Sequence, residues 1–276
     1  MTQNIPQGKQ GISGVSRRLL SRLLRERPET MTPADAAQVL NLPQNKAAKL
    51  LADWAKRGWL ARVRQGLYVP VPLDSISPHI IPDDPWLIAV RVFEPCYIGG
   101  WSAAEHWDLT EQIFRTTVVL TTRRVGDRNP DLLGLKFRVK TVSTQAFFGL
   151  KNVWRNSVQV PVSDPSRTIV DLFDDPSMGG GIRPSADILR NYLASKTKDL
   201  PLIIEYADRL GNRAVFKRLG FLMEQVAPTE QQFISECKAR LSAGNAKLDP
   251  TLPAEKLITR WRLWVPRTWA RRIPGD

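Results

Sequence analysis

The 276-residue sequence predicts an α+β fold, in which a small helical module with a β-hairpin precedes a mixed α/β region and then a helical region. Residues 32 to 71 read as two short helices around a tight turn, followed by a hairpin. Residues 117–123 and 135–142 are rich in β-branched side chains, which favours strands. From residue 186 to about residue 241, apolar side chains recur every three or four positions, which indicates helices.

The first of the two short helices is predicted to begin at Thr32. Thr32 suits the N-cap, Pro33 the first helical position, and Asp35 completes a capping-box spacing. Asn41 and Pro43 then favour a turn. Residues 15–27, which precede the first short helix, form an amphipathic stretch with leucines on one side. This stretch is expected to complete a three-helix core. Its arginines fit either contacts with DNA phosphates or a solvated face.

The second helix has a buried stripe and a polar face. Ala47, Leu51 and Trp54 lie among apolar positions that recur at spacings of three and four, so they should face the core. Gly58 is predicted to cap its C-terminus. The opposite face carries Gln44, Asn45, Lys46 and Lys49. Amide and ammonium groups near the start of such a helix reach base edges and phosphates.

A basic hairpin follows this helix. Arg62 and Arg64 stand beside the turn Arg64-Gln65-Gly66, and an arginine at such a tip enters a minor groove or contacts a phosphate. The order helix, turn, helix, hairpin is typical of a winged helix-turn-helix. The predicted DNA-binding residues are Gln44, Asn45, Lys46, Lys49, Arg62, Arg64 and Gln65. The alternative is a small protein-interaction module with solvated basic faces.

Composition narrows the class of protein. The net charge is +13, and residues 1 to 74 hold 12 Lys and Arg against 5 Asp and Glu, so the excess is densest in the module just described. A basic chain is drawn to polyanions, which supports nucleic-acid binding only weakly. Cys96 and Cys237 form no disulfide framework or zinc pattern, which fits a reducing cytoplasm. We expect no metal, no cofactor and no membrane segment.

Five segments are predicted along the chain. Residues 1–14 are expected to be a disordered arm, 15–74 the winged helix-turn-helix, 75–85 a proline-rich linker, 86–250 an α/β to helical C-terminal domain, and 251–276 a basic, tryptophan-rich tail. Aromatic side chains interleaved with arginine stack on bases, cover a core, dock a partner or bind a membrane surface. We favour core cover or partner docking for Trp261, Trp264 and Trp269.

Two motifs stand out in the C-terminal domain. Ser102 and Glu105 have the spacing of a capping box, after the pair Gly99-Gly100. Close packing is favoured for these glycines over a phosphate-binding turn, because the longer glycine spacing and the lysine of a phosphate loop are absent. Further on, a helix opens at residues 164 and 165, and its Arg167 and Asp171 are spaced for an ion pair.

The sequence resembles the AbiEi-type antitoxins of type IV toxin-antitoxin (abortive infection) systems. Four segments carry the resemblance: KRGWL at 56–60 with RQGLYV at 64–69, YIGGWSAAEHW at 97–107 with LTEQ at 109–112, VSDPSRTIVDL at 162–172, and RLG at 209–211 with KRLGFL at 217–222. The second and third segments are the more specific. The tail after about residue 245 has no counterpart in the resemblance.

The resemblance implies a transcriptional autorepressor that binds repeats in its own promoter, so double-stranded DNA is the expected partner. It also implies that the chain counteracts a toxin with a nucleotidyltransferase-like fold without forming a stable complex with it. The family's DNA-contacting elements correspond to Gln44, Asn45, Lys46 and Lys49 in the helix and to Arg62 and Arg64 in the hairpin. The C-terminal part is expected to carry the antitoxic activity.

Two other functions are open. A DNA-processing enzyme would need clustered carboxylates with a nearby lysine, and no predicted strand carries that spacing. Glu105 and His106 have the chemistry of an acid and a base, but no nucleophile accompanies them. We therefore predict that the chain is not an enzyme. A ligand-sensing regulator is the other alternative, although no motif names a ligand.

Overall fold

The computed structural model describes residues 10–27, 29–72 and 84–270, which form a mixed α/β protein. The predicted arm and the predicted linker fall mostly outside these ranges. The chain divides into two units: an N-terminal unit of residues 1–92 and 129–137, and a C-terminal unit of residues 93–128 and 138–276. No helix in the described ranges is both long enough and apolar enough to cross a membrane.

The N-terminal unit begins with three helices and a hairpin in the predicted order. Its elements are α1 (Gly14–Glu26), α2 (Pro33–Leu40), α3 (Gln44–Lys56), β1 (Leu60–Arg64), β2 (Leu67–Pro70) and α4 (Pro85–Phe93). Leu23, Leu51 and Trp54 are fully buried between the three helices. The Trp54 indole donates to the Ser16 hydroxyl over 2.7 Å, so one hydrogen bond joins α1 to α3.

Local signals fix the start of α2. The Thr32 hydroxyl accepts a hydrogen bond from the Asp35 backbone N–H at 3.2 Å, and the Asp35 carboxylate accepts one from the Thr32 N–H at 2.9 Å. The predicted capping box is therefore confirmed. Asn41 ends the helix with φ +55°, in the left-handed region. Gly58 ends α3 in the left-handed conformation, with φ +78°, directly after the C-cap residue Arg57. The Gly58 and Trp59 N–H groups donate to the Ala55 and Trp54 carbonyls, so the predicted glycine cap is confirmed.

The remaining elements of the described chain are both strands and helices. They are β3 (Cys96–Ile98), α5 (Gly100–His106), β4 (Thr116–Thr121), β5 (Asp131–Leu132), β6 (Leu135–Thr141), β7 (Leu150–Arg155), β8 (Val158–Ser163), α6 (Pro165–Asp174), α7 (Ile182–Ala194), α8 (Leu200–Leu210), α9 (Ala214–Val226), α10 (Gln231–Ala239), β9 (Ala246–Lys247), β10 (Lys256–Ile258), β11 (Leu263–Val265) and α11 (Arg267–Ala270). The largest sheet has the strand order β5-β6-β4-β3-β8-β7. Within it β3 runs parallel to β8 and antiparallel to β4.

The predicted capping box at Ser102 and Glu105 is wrong. The helix α5 begins two residues earlier, at Gly100, with Gly99 as its N-cap. The Ser102 hydroxyl instead accepts a hydrogen bond from the Val118 backbone N–H at 2.9 Å and ties the helix to β4. A Cβ at Gly100 would lie 2.4 Å from the Met178 carbonyl oxygen, and Gly100 has φ +55°. Close packing therefore explains this glycine, as the sequence predicts.

The tryptophan-rich tail is part of the C-terminal core over its described residues. Trp261 is fully buried and Trp269 nearly so, in the same cluster as Phe173, Leu189 and Phe221. Strands β9, β10 and β11 form a small sheet in the order β10-β11-β9. Core cover, the favoured interpretation of these tryptophans, is confirmed for Trp261 and Trp269.

Candidate nucleic-acid interface

The helix α3 presents a polar face at its N-terminal end. Gln44, Asn45, Lys46 and Lys49 are all exposed, whereas Ala47, Leu51 and Trp54 are fully buried. This division follows from the helical repeat of 3.6 residues, which puts positions 45 and 49 on one side and 47, 51 and 54 on the other. The four predicted residues are therefore brought together on two successive turns.

The first turn of α3 has no side-chain cap at its N-cap residue, Pro43. Asn45 accepts a hydrogen bond from the Lys46 backbone N–H through Oδ1, at 2.7 Å. Its amide NH₂ group remains a donor at the exposed end of the helix. The positive end of the helix dipole adds to the attraction of this end for anions.

Farther along α3 the charge is mixed. Asp53 pairs with Arg57 at 2.9 Å, one turn later on the same helix. Lys56 is exposed and lies seven residues after Lys49, on the same side of the helix. Lys56 is not among the predicted DNA-binding residues, and its spacing from Lys49 continues the exposed face of the helix.

The hairpin that follows α3 is built on antiparallel pairing. Ala61 pairs with Val69 and Arg62 with Tyr68, and the register shifts between Arg62 and Arg64. Gly66 closes the turn with φ +76°, a conformation that glycine adopts without strain. Tyr68 also exchanges two backbone hydrogen bonds with Met31, at 2.9 and 3.0 Å. This second pairing fixes the hairpin to the segment between α1 and α2.

The three predicted hairpin residues, Arg62, Arg64 and Gln65, are all exposed. Arg62 donates from Nε to the Arg64 carbonyl oxygen at 3.4 Å. Arg64 donates from Nη2 to the Arg91 carbonyl oxygen in α4 at 3.3 Å. Both contacts are long and exposed, so they hold the guanidinium groups weakly and leave other N–H donors of each group for a ligand.

The C-terminal unit holds a charged cluster of another kind. The guanidinium of Arg167 and the carboxylate of Asp171 lie 3.0 Å apart, both almost completely buried, which confirms the predicted ion pair. The Tyr97 hydroxyl contacts both groups, at 3.2 Å from Arg167 Nη2 and 3.3 Å from Asp171. Burial raises the pKa of the Asp171 carboxyl, and Arg167 opposes that rise. The cluster is closed to solvent and acts as a structural anchor.

Glu105 and His106, which the sequence offers as an acid and a base without assigning them to a site, stand at the end of α5. Glu105 is exposed and His106 is half-buried. Burial lowers the pKa of His106, and the positive charge of Arg155 lowers it further. Within the described ranges, no three His, Cys, Asp or Glu side chains form a group that would hold a metal ion.

Comparison with known proteins bears on the N-terminal unit first. Residues 18–71 match the model of a family of transcriptional regulators. That family is described as "Transcriptional regulator, AbiEi antitoxin", so the resemblance seen in the sequence is confirmed over this segment. The match takes in α2, α3, both hairpin strands and most of α1. No protein with a curated description matches the chain.

A solved structure resembles nearly the whole chain. The crystal structure of the RV2827C protein from Mycobacterium tuberculosis aligns with a TM-score of 0.63, covering 96% of this chain and 97% of that one. The two sequences are 16% identical. At this level of identity the likeness concerns the fold.

Proposed function

We propose that the chain is a winged helix-turn-helix transcriptional regulator of the AbiEi antitoxin type, which binds its own promoter as double-stranded DNA. One observation carries the proposal. The segment that matches the regulator family contains α3, and the first two turns of α3 expose Gln44, Asn45, Lys46 and Lys49 opposite a fully buried stripe. In this proposal α3 enters the major groove with its N-terminal end.

The side chains divide into two roles. Gln44 and Asn45 carry amides, which pair with adenine edges, and Lys46 is placed to reach guanine acceptors. Lys49, Arg62, Arg64 and Gln65 contact phosphates or the minor groove beside the major-groove site. Arg64 would exchange its bond to the Arg91 carbonyl for a DNA contact. That exchange costs little, because the bond is 3.3 Å long and exposed.

The regulatory role follows the family. We propose that the chain represses its own operon and counteracts a nucleotidyltransferase-like toxin through its C-terminal unit, without a stable complex. In this proposal the chain acts by binding rather than by catalysis, in the cytoplasm. The support is the family description, which joins transcriptional regulation to antitoxin activity.

The test of DNA binding is fluorescence anisotropy with the DNA upstream of the gene, and with scrambled DNA of equal length, over a salt series. We expect the wild type to prefer the upstream DNA. The double variant Lys46→Ala with Arg64→Ala should lose this preference. Its slope of log K against log[salt] should also become shallower by about one unit, because Arg64 contacts a phosphate in this proposal.

A matched control keeps this test interpretable. The variant Lys196→Ala with Arg183→Ala removes the same two charges from exposed positions of the C-terminal unit, and it should bind like the wild type. Unchanged affinity in the Lys46 and Arg64 variant would remove α3 and the hairpin from the interface. Equal binding of both DNAs by the wild type would contradict promoter recognition and would show only that a basic surface attracts DNA.

The antitoxin role needs a separate test. Co-expression with the neighbouring gene product, if that product is nucleotidyltransferase-like, should restore growth that the product alone arrests. Size-exclusion chromatography of the two proteins should give separate peaks. Growth arrest that persists with soluble, folded chain present would contradict the antitoxin proposal while leaving DNA binding untouched.

A further inference from the structure

The helix α1 carries a second basic face. Arg17, Arg18, Arg22 and Arg25 are all exposed, and the opposite side of α1 buries Leu20 and Leu23. With 3.6 residues per turn, the four arginines fall within roughly 140° of the helix circumference. None of the four forms an ion pair with a carboxylate in the described parts of the chain. Arg25 makes one long bond, from Nε to the Ser21 carbonyl at 3.4 Å.

Folding alone does not account for this face. Arg18 and Arg22 are four residues apart, and Arg22 and Arg25 are three apart, so like charges are neighbours on the helix surface. Such pairs destabilise a helix by roughly 0.2–0.5 kcal/mol each. The core contacts of α1 come from its leucines and from Ser16. A row of repelling, exposed cations is stabilised when an anionic partner lies against it.

The position of α1 within the N-terminal unit suggests which partner. Just after α1 ends, Arg27 Nε lies 3.6 Å from the Asp35 carboxylate in the first turn of α2. The last turn of α1 is therefore held beside the start of α2. In a helix-turn-helix, the helix before the recognition helix crosses the DNA backbone. The arginines near the end of α1 then lie close to the backbone that α2 crosses.

We propose that the arginine face of α1 is a second phosphate-contacting surface, which extends the footprint on duplex DNA beyond the groove read by α3. The inference rests on the proposed function. The guanidinium group suits this role because its planar fork binds phosphate oxygens in pairs. Contacts to phosphates carry no sequence information, so this surface adds affinity and fixes orientation without changing the preferred sequence.

The test is the full-length triple variant Arg18→Gln, Arg22→Gln and Arg25→Gln, measured on upstream and scrambled DNA over a salt series. Three lost phosphate contacts should make the slope of log K against log[salt] shallower by about 2.7 units. Near 0.15 M salt that change corresponds to weaker binding on the order of a hundredfold. The ratio of the affinities for the two DNAs should stay at the wild-type value. A hydroxyl-radical footprint should lose protection at one outer edge only.

The matched control is Arg115→Gln, Arg124→Gln and Arg183→Gln, which removes three exposed arginines from the C-terminal unit. It should keep the wild-type slope, footprint and melting temperature. The α1 variant should melt at the wild-type temperature or slightly above it, because the repulsion between neighbouring arginines is removed. A wild-type slope in the α1 variant would overturn the inference and leave an acidic protein as the partner of this face. An equal loss in the control would also overturn it, because the effect would then be one of total charge.

The two proposals fail in different ways. If the wild type does not prefer upstream DNA, the proposed promoter binding fails. The α1 surface is still tested by comparing the salt slopes of the wild type and the α1 variant on scrambled DNA. If the wild type does prefer it and the α1 variant is unchanged in slope, only the α1 surface fails.

Discussion

The cations of the two units differ in their surroundings. In the N-terminal unit, Lys46, Lys49 and the arginines of α1 are exposed, and none of them is held by a carboxylate among the described residues. In the C-terminal unit, Arg167, Lys217 and Arg218 are buried and bonded. The same residue types thus face solvent in the first set and support the protein interior in the second.

The buried cations bond mainly to backbone oxygens. Arg218 donates to the carbonyl oxygens of Phe173 at 2.7 Å, Asp174 at 3.0 Å and Lys247 at 3.0 Å. The first two acceptors lie at the C-terminal end of α6, where helix carbonyls lack helical partners and the helix dipole favours a cation. Lys217 donates to the Ser242 hydroxyl at 2.9 Å and to the Gly244 carbonyl. These side chains stabilise the C-terminal unit and are not available to a ligand.

The largest expected effect comes from breaking the buried ion pair. Arg167→Ala should lower the free energy of unfolding by about 3–5 kcal/mol, because it leaves the Asp171 carboxylate buried without a cation. The measurement is urea denaturation of the full chain, followed by circular dichroism. Arg183→Ala, at an exposed position, is the control and should change stability by less than about 0.5 kcal/mol.

A double variant sharpens this prediction. Arg167→Met with Asp171→Leu replaces both charges by apolar side chains, so it should be less destabilising than Arg167→Ala alone. A loss below about 1 kcal/mol for Arg167→Ala would show that Asp171 is solvated or neutral in the protein, and the contrast between the two units would then be weaker than the geometry indicates.

A smaller loss of stability is expected when the N-terminal cap of α2 is removed. Thr32→Ala removes the side chain that caps α2, and it should cost about 1 kcal/mol of stability. Thr32→Ser keeps the hydroxyl and should restore most of that loss. The comparison uses the same denaturation experiment. Equal stabilities for the alanine and serine variants would mean that the capping hydrogen bond contributes nothing measurable.

The sequence predicts local helix features better than contacts between distant parts of the chain. The capping box at Thr32 and the buried stripe of α3 depend on residues three or four positions apart, so the local sequence contains the information. The role of Ser102 does not, because its hydroxyl bonds to Val118 of a strand sixteen residues away. A correct capping-box spacing was therefore misleading there. Strand β3 was missed for the same reason, since its pairing partners in β4 and β8 are remote.

The contact between Gly220 and Trp261 is a tertiary feature that the sequence does not reveal. A Cβ on Gly220 would lie 2.0 Å from the Trp261 ring, so the indole packs directly on the backbone of α9. A glycine in the middle of a helix is unfavourable without such a reason. The pairing of these two positions is invisible without the fold. In the candidate interface, the exposure of Asn45 and Lys49 followed from helical spacing, but the bond from Arg64 to Arg91 did not.

The smallest expected effect on stability comes from replacing Lys49, an exposed cation, whereas Arg167 is a buried one. Lys49→Ala should change the free energy of unfolding by less than about 0.5 kcal/mol, because the side chain is exposed. The same substitution should make the slope of log K against log[salt] shallower by about one unit, the share of one phosphate contact. Lys49→Arg keeps the charge and should retain the slope. If Lys49→Ala lowered stability as Arg167→Ala is expected to do, exposure would no longer separate binding cations from structural ones in this protein.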